Sequence, residues 1–276
     1  MTTRTDDNAV TIDHGIESRH RALWALGDYA TVATEVVSPL GPVLVRASGI
    51  AAGDRVLDVA AGSGNAAIPA ALIGAKVTAS DLVPELLERG AALARGLNVR
   101  WCEANAEALP FGVAEFDAVM SCVGVMFAPH HQRAADELVR VCRPGGTIGL
   151  LSWTPEGFIG QMFATMKAYI PAPPPGVRPP PRWGDADYVR ALLGDGITDF
   201  VAERRALSVD RFGDGAAFRD FFKIYYGPTI SAYRGIADAP DQAAALDVEL
   251  ADLGDRYLAG SSTMEWEYLL VTARRR

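Results

Sequence analysis

The sequence predicts an α/β fold in which a seven-stranded, mostly parallel sheet carries helices on both faces. From residue 50 onwards, short apolar stretches alternate with alanine- and leucine-rich stretches of helical periodicity. A turn of small residues follows the first apolar stretch, as expected where a strand leads into a helix. Because parallel strands need crossover connections, this alternation favours a sheet that is covered by helices on both sides.

The first part of the chain, residues 1–49, is predicted to form an N-terminal helical arm or cap. Residues 18–49 carry apolar positions at helical spacing, which Pro39 and Pro42 interrupt. The start of the chain is polar and acidic and lacks the apolar stretch of a signal peptide, so we expect a cytoplasmic location.

The core of the sheet is predicted within residues 50–155. Its strands are expected near 56–60, 76–80, 99–103, 116–122 and 147–152. The helices between them are expected near 65–73, 84–95 and 131–142.

Residues 156–276 are predicted to complete the sheet. The proline-rich stretch 171–181 should be an extended, stiff connection, because proline fixes φ and lacks an amide hydrogen. The basic run 274–276 is expected to be a solvated chain end. The remaining elements are a helix near 185–194, strands near 200–209 and 264–272, and an inserted, aromatic-rich helical lid at about 214–258.

The small-residue turn lies in residues 56–65, which read VLDVAAGSGN. A strand that ends in such a turn lets backbone N–H groups approach a nucleotide without interference from side chains. Gly62, Gly64 and Ala67 satisfy the dinucleotide fingerprint GxGxxA, which on its own would suit NAD.

Two acidic residues point instead to a cationic nucleotide cofactor. Asp58 lies two residues before the turn, where it would repel a pyrophosphate and attract an ammonium or sulfonium group. Asp81 ends the second predicted strand, where a carboxylate can accept hydrogen bonds from ribose hydroxyls. A ribose contact would serve NAD and a cationic nucleotide equally, so Asp58 is the residue that distinguishes between these two cofactors.

Five ordered segments give the chain a resemblance to the class I S-adenosylmethionine-dependent methyltransferases, in their small-molecule, ubiquinone/menaquinone-methyltransferase-like branch. Together they cover much of residues 20–153. The segments are VLDVAAGSGN at 56–65, ASDLVPELLE at 79–88, EANAEALPF at 103–111, FDAVMSCVGVMF at 116–127 and ELVRVCRPGG at 137–146.

The resemblance implies a Rossmann-like fold, S-adenosyl-L-methionine as cofactor, S-adenosyl-L-homocysteine as product, and no metal. Ala60 stands where a first glycine is usual, and Asn105 replaces the usual aspartate. The amide oxygen of Asn105 can still accept a hydrogen bond from adenine. The implied cofactor-binding residues are Tyr29, Asp58, Ala60, Gly62, Gly64, Asn65, Asp81, Leu82, Asn105, Ala106, Glu107 and Ser121.

Methyl transfer needs a general base only if the acceptor must lose a proton. His130 and His131 are the candidates, because they follow the fourth strand at the carboxyl edge of the sheet, where ligands bind in open α/β folds. The alternative is that His130 begins the next helix and His131 faces solvent. His14 and His20, in the arm, are expected to be solvated.

Composition limits the partners. A net charge of -8, from 26 basic and 34 acidic residues, disfavours a nucleic-acid partner and a macromolecular acceptor. The sequence contains no apolar stretch of about 18 residues, so no membrane span is expected. The three cysteines lack metal-ligand spacing and are expected to be reduced thiols.

We therefore expect a small lipophilic or aromatic methyl acceptor, with the methylated atom and the oligomeric state left open. Aromatic residues beyond residue 153 could line its pocket, although the same residues would serve equally to dock the lid. They include Trp153, Phe158, Phe163, Phe218, Phe221, Phe222, Tyr225 and Tyr226. An NAD-dependent oxidoreductase and a non-catalytic cofactor-binding protein are the alternative functions.

Overall fold

Seven strands form one sheet in the computed structural model, which describes residues 14–276. The strands are β1 (Arg55–Val59), β2 (Lys76–Asp81), β3 (Val99–Glu103), β4 (Phe116–Cys122), β5 (Cys142–Trp153), β6 (Ile197–Val209) and β7 (Met264–Arg275). Their order across the sheet is β3-β2-β1-β4-β5-β7-β6. Strand β7 pairs antiparallel with β5 and β6, and the other pairs are parallel. The predicted seven-stranded, mostly parallel α/β fold is confirmed.

Helices form in each connection where one was predicted, and one further helix, at Phe158–Met166, was not predicted. They are α1 (His14–Trp24), α2 (Tyr29–Glu35), α3 (Leu40–Ala47), α4 (Ala67–Leu72), α5 (Pro84–Leu93), α6 (His131–Val141), α7 (Phe158–Met166), α8 (Ala186–Leu193), α9 (Gly215–Tyr225), α10 (Gly227–Gly235) and α11 (Pro240–Leu258). None of the helices within residues 14–276 is long and apolar enough to cross a membrane.

The N-terminal arm is divided into three helices. Pro39 occupies the N-cap of α3, and Pro42 lies in the first turn of that helix, where a missing amide hydrogen breaks no hydrogen bond. Residues 1–13 of the predicted arm lie outside the described residues, and the division of the chain at residues 49 and 155 stays a prediction.

The centre of the sheet is buried on both faces. Val56, Leu57, Val119 and Met120 are all inaccessible to solvent, which explains why β1 and β4 read as nearly continuous apolar runs. The strand order reverses between these two strands: β2 and β3 follow on one side of β1, and β5 follows on the far side of β4. In open α/β sheets ligands bind at the carboxyl ends of strands at such a switch point.

The inserted segment between β6 and β7 forms α9, α10 and α11, and its aromatic residues join the hydrophobic core of the sheet. Trp266 of β7 stacks on Phe158 of α7 at 5.0 Å between ring centroids, and Phe218 and Phe222 of α9 contact the same indole. The large rings of this segment therefore hold it to the sheet.

Two expectations for the second half of the chain are corrected. Arg274 and Arg275 belong to β7, and their guanidinium groups donate to Thr147 Oγ1 at 2.7 Å and to the Cys142 carbonyl at 2.6 Å. Two residues of the basic run thus belong to the sheet, and only Arg276 lies beyond β7, at an exposed position. The proline-rich stretch is irregular as predicted, but it ends in a short 3-10 helix, Pro180–Gly184.

Candidate active site

A cavity opens at the carboxyl edge of the sheet, beside the switch point. Its empty space, including the open mouth, amounts to about 1020 Å³. Four strand-end segments line it, and α1 and α2 supply the remaining wall. The strand-end segments are 60–65 after β1, 81–83 after β2, 104–107 after β3 and 122–130 after β4.

The loop after β1 turns sharply because Ala60, Gly62 and Gly64 all have positive φ, at 53°, 55° and 92°. Ala60 and Gly62 line the cavity, whereas Gly64 faces the protein, since a Cβ on Gly64 would lie 2.7 Å from the Trp101 ring. Gly124 packs against the same loop so closely that a Cβ there would lie 2.2 Å from the Ala60 carbonyl oxygen. The loop is therefore held on two sides by close backbone contact.

Asp81 joins the end of β2 to this loop. Its Oδ2 accepts the Gly62 N–H at 2.8 Å, and its Oδ1 accepts the Val83 N–H at 3.0 Å. Burial raises the pKa of this carboxyl, and the backbone N–H groups of Val83, Gly62 and Leu82 oppose that shift. Each oxygen has a second lone pair. Asp81, which lines the cavity, can therefore also accept hydrogen bonds from hydroxyl groups.

Asp58 lies beneath the loop and not on the cavity wall. Its side chain is 1% exposed, and neither carboxylate oxygen has a hydrogen-bond partner among the described residues. Burial raises the pKa of this carboxyl to about 8, and the nearby charge of Asp81 adds to the shift, while the Ala67 backbone N–H opposes it. Asp58 therefore does not line the cavity, because the turn that follows β1 covers the side chain.

The segment after β3 presents Asn105, Ala106 and Glu107 to the cavity, opposite Leu82. The Asn105 Oδ1 accepts the Glu107 N–H at 2.9 Å, and its amide nitrogen donates to Glu17 at 3.3 Å. Asn105 is thus fixed in orientation, with one lone pair of its oxygen already engaged.

Tyr29 begins α2 and lines the cavity next to the glycine loop. Its ring lies edge-on to Trp24 at 5.7 Å, and burial raises the pKa of its hydroxyl, so the group stays protonated and can donate a hydrogen bond. Asn65 also lines the cavity, and its amide nitrogen donates to the Val37 carbonyl at 3.1 Å.

Ser121 does not line the cavity. Its hydroxyl donates to the Val59 carbonyl at 2.6 Å and accepts the Val125 N–H at 2.8 Å. Both bonds are buried, and they tie the end of β1 to the loop after β4. Ser121 therefore fixes the position of two segments of the site without lining the cavity itself.

The two adjacent histidines have different surroundings. His130 occupies the N-cap position of α6, as the helix-start interpretation expects, and it lines the cavity. His131 is 1% exposed and faces Tyr188, with 3.0 Å between Nδ1 and the hydroxyl. Burial lowers the pKa of His131 to about 4, so it is neutral at physiological pH. Neither the active-site position nor the solvent-facing position expected for His131 is observed, because the first turn of α6 directs it towards α8.

Several cavity residues were missed by sequence reasoning. Ile16, Glu17, His20 and Trp24 of α1 line the cavity, and burial lowers the pKa of His20, which was expected to be solvated. Their spacing along the helix places them on one face, which is the signal that could have identified them. Phe127 completes this wall, with its ring 4.6 Å from that of Trp24.

The aromatic residues expected beyond residue 153 are not among those that line the cavity. No group of three or more metal-ligating side chains is found within residues 14–276. The three cysteines are free thiols.

Comparison with known proteins identifies the architecture. A family model described as a methyltransferase domain matches residues 56–146. An uncharacterized protein of Mycobacterium tuberculosis is 57% identical over 258 residues, which cover 93% of this chain and 94% of that protein. The demethylmenaquinone methyltransferase of Thermus thermophilus is 41% identical over 115 residues, 40% of this chain and 52% of that enzyme.

A solved structure shows the same fold. Phosphoethanolamine N-methyltransferase 2 of Haemonchus contortus, in complex with S-adenosyl-L-methionine, has a TM-score of 0.53 at 15% identity, covering 84% of this chain and 51% of that one. The matched domain, the methyltransferase relative and the shared fold agree with the strand order and with the loop-lined cavity at its switch point. The chain belongs to the class I methyltransferase family.

Proposed function

We propose that this protein transfers a methyl group from S-adenosyl-L-methionine to an oxygen, carbon or nitrogen atom of a small lipophilic or aromatic molecule, releasing S-adenosyl-L-homocysteine. The observation that carries the proposal is the convergence of the glycine loop, Asp81 and the segment 104–107 on one cavity. These segments come from three different strands and correspond to three successive motifs of the family.

The residues present fit this cofactor. The free lone pairs of Asp81 suit two ribose hydroxyls, and the apolar side chains of Leu82 and Ala106 suit the faces of an adenine ring. The unpartnered carboxylate of Asp58 lies behind the loop and becomes more stable as an anion when a cation is bound nearby. Tyr29 and the loop backbone are available to the polar end of the methionine portion.

The same surroundings disfavour NAD. A pyrophosphate would be repelled by the carboxylate of Asp81 and would disfavour ionisation of the nearby Asp58, and no lysine or arginine is found among the described residues that line the cavity. Without a cation to compensate, that repulsion opposes binding of a dinucleotide. A sulfonium ligand has the complementary charge.

When bound, the cofactor supplies an electrophilic methyl group that already has a good leaving group. The protein then has to align the acceptor and exclude water. Trp24 and Phe127 give the wall beyond the cofactor-binding loops an aromatic surface, which supports a lipophilic or aromatic acceptor. We expect this small molecule as the partner, with no nucleic acid or membrane, and a cytoplasmic location in keeping with the free thiols.

Isothermal titration calorimetry tests the cofactor assignment. S-adenosyl-L-methionine and S-adenosyl-L-homocysteine should bind, and NADH should not. Asp81→Asn should weaken binding by about tenfold or more, because the amide keeps the shape but loses acceptor capacity and charge. Asp195→Asn, at an exposed position that does not line the cavity, is the matched control and should bind like the parent protein. Binding of NADH with no response to either sulfur compound would refute the proposal.

A further inference from the structure

His130 and Glu107 form a hydrogen-bonded pair at the cavity wall that the cofactor assignment does not explain. The two carboxylate oxygens of Glu107 accept different groups of the same residue: Oε1 takes the His130 backbone N–H at 2.7 Å, and Oε2 lies 2.8 Å from Nδ1 of the ring. Glu107 is buried, whereas His130 keeps part of its ring exposed on the cavity side. Glu107 is therefore engaged with His130 and not directed at a ligand.

This geometry fixes the tautomer of the imidazole. A carboxylate can only accept, so the neutral ring must carry its proton on Nδ1, and Nε2 is left with a lone pair. Nε2 makes no hydrogen bond to any residue within 14–276. The ring is thus oriented by a carboxylate on one side and has an unused acceptor on the other, an arrangement suited to general-base catalysis.

We propose that His130 takes a proton from the methyl acceptor, that Glu107 positions it for this task, and that the acceptor is therefore a protic nucleophile such as a phenol or an enol. The inference rests on the proposed methyltransferase function. For a phenol, the hydroxyl proton passes to Nε2 while the oxygen forms its bond to the methyl carbon. The carbon–sulfur bond breaks with its electron pair left on sulfur, and the imidazolium later returns its proton to water.

The groups around the pair are compatible with this role. His20 on α1 faces the same cavity, and burial lowers its pKa, so it adds no positive charge near neutral pH. His131 is neutral for the same reason. Arg178 donates its backbone N–H to the Pro129 carbonyl at 3.2 Å and is the cation on the neighbouring proline-rich segment. Glu107 is thus the anion that compensates the imidazolium formed during transfer.

The tautomer can be read directly by ¹⁵N NMR of the imidazole nitrogens, with S-adenosyl-L-homocysteine bound and without any turnover. The chain has four histidines, so single His→Asn variants assign the signals. Neutral His130 should be protonated at Nδ1. In Glu107→Gln the amide oxygen should keep its hydrogen bond from the His130 backbone N–H. The amide nitrogen, which can only donate, then faces Nδ1, so the ring proton should move to Nε2. His14→Asn, at an exposed position (86%), should change neither signal of His130.

Kinetics on phenols of graded acidity provide the second measurement. His130→Asn should reduce kcat by about 100-fold or more for weakly acidic phenols. The loss should be much smaller for 4-nitrophenol at a pH where it is already ionised, and affinity for S-adenosyl-L-homocysteine should not change. A wild-type ring protonated at Nε2, or an equal loss on all phenols, overturns the proposal while leaving the methyltransferase function intact. Failure to bind S-adenosyl-L-homocysteine would instead refute the function.

Discussion

Asp58→Asn should remove a pH-dependent loss of stability from the ligand-free protein. Burial raises the pKa of this carboxyl from 3.8 to about 8, so between those values the folded state holds a proton that the unfolded state has released. The free energy of unfolding must then fall as pH rises, by up to about 1.36 kcal/mol per pH unit from this group. From pH 5 to pH 8 the decline amounts to roughly 4 kcal/mol, or roughly 10 °C in Tm for a chain of this size. Asparagine does not titrate and should show no such decline.

Urea unfolding of both proteins at intervals from pH 5 to pH 9 measures this difference. Asp81 also has a raised pKa and contributes to both curves, so the gap between the curves reports Asp58 together with its interaction with Asp81. The gap should widen with pH and level off above about pH 8. Saturating S-adenosyl-L-methionine should narrow it, because a nearby cation favours the carboxylate. Parallel curves from pH 5 to pH 8 would show that Asp58 is already ionised at neutral pH. That result would refute the argument that Asp58 stays protonated until a cation binds nearby.

Three further substitutions have defined outcomes. Ala60→Gly should stabilise the protein against urea by about 1 kcal/mol, because Ala60 has a φ of 53° that L side chains disfavour. A decrease in stability would contradict the strain argument. Gly124→Ala should abolish or weaken cofactor binding at least about tenfold in calorimetry while leaving the far-ultraviolet circular dichroism unchanged, since its Cβ would collide with the Ala60 carbonyl. Arg275→Ala should cost about 1–2 kcal/mol in urea unfolding through its bond to the Cys142 carbonyl. Arg276→Ala, at an exposed position after β7, should leave the free energy of unfolding almost unchanged. Equal effects of the two substitutions would contradict the finding that Arg275 is bonded to β5.

Much of the sheet could be predicted because burial on both faces leaves a clear pattern. Strands β3 and β4 begin and end where the sequence predicted, and β1 differs by one residue at each end. The C-terminal part of β7 was missed because Arg274 and Arg275 read as a charged tail. Their long side chains reach carbonyl and hydroxyl groups at the start of β5, and that interaction exists only after β5 and β7 pair.

The cofactor side of the site was also predictable, because its residues follow the strands in a fixed order. Ala60, Gly62, Asp81 and Asn105 all line the cavity. The sequence could not separate residues of the motifs that face the ligand from those beneath it, as the buried positions of Asp58 and Ser121 show. That distinction depends on which way a side chain points from a strand end, and on what the next loop covers.

The aromatic residues that line the cavity lie elsewhere in the chain than those that the sequence suggested. The rings of the inserted helices were candidates for an acceptor pocket, but Phe218 and Phe222 pack against Trp266. On the cavity surface, Trp24 of α1 instead meets Phe127 of the loop after β4. Because Trp24 and Phe127 lie far apart in sequence, we expect that a change in α1 can alter acceptor choice without disturbing the glycine loop proposed to hold the cofactor. Substitutions that select between acceptors should therefore concentrate in α1 and residues 123–130.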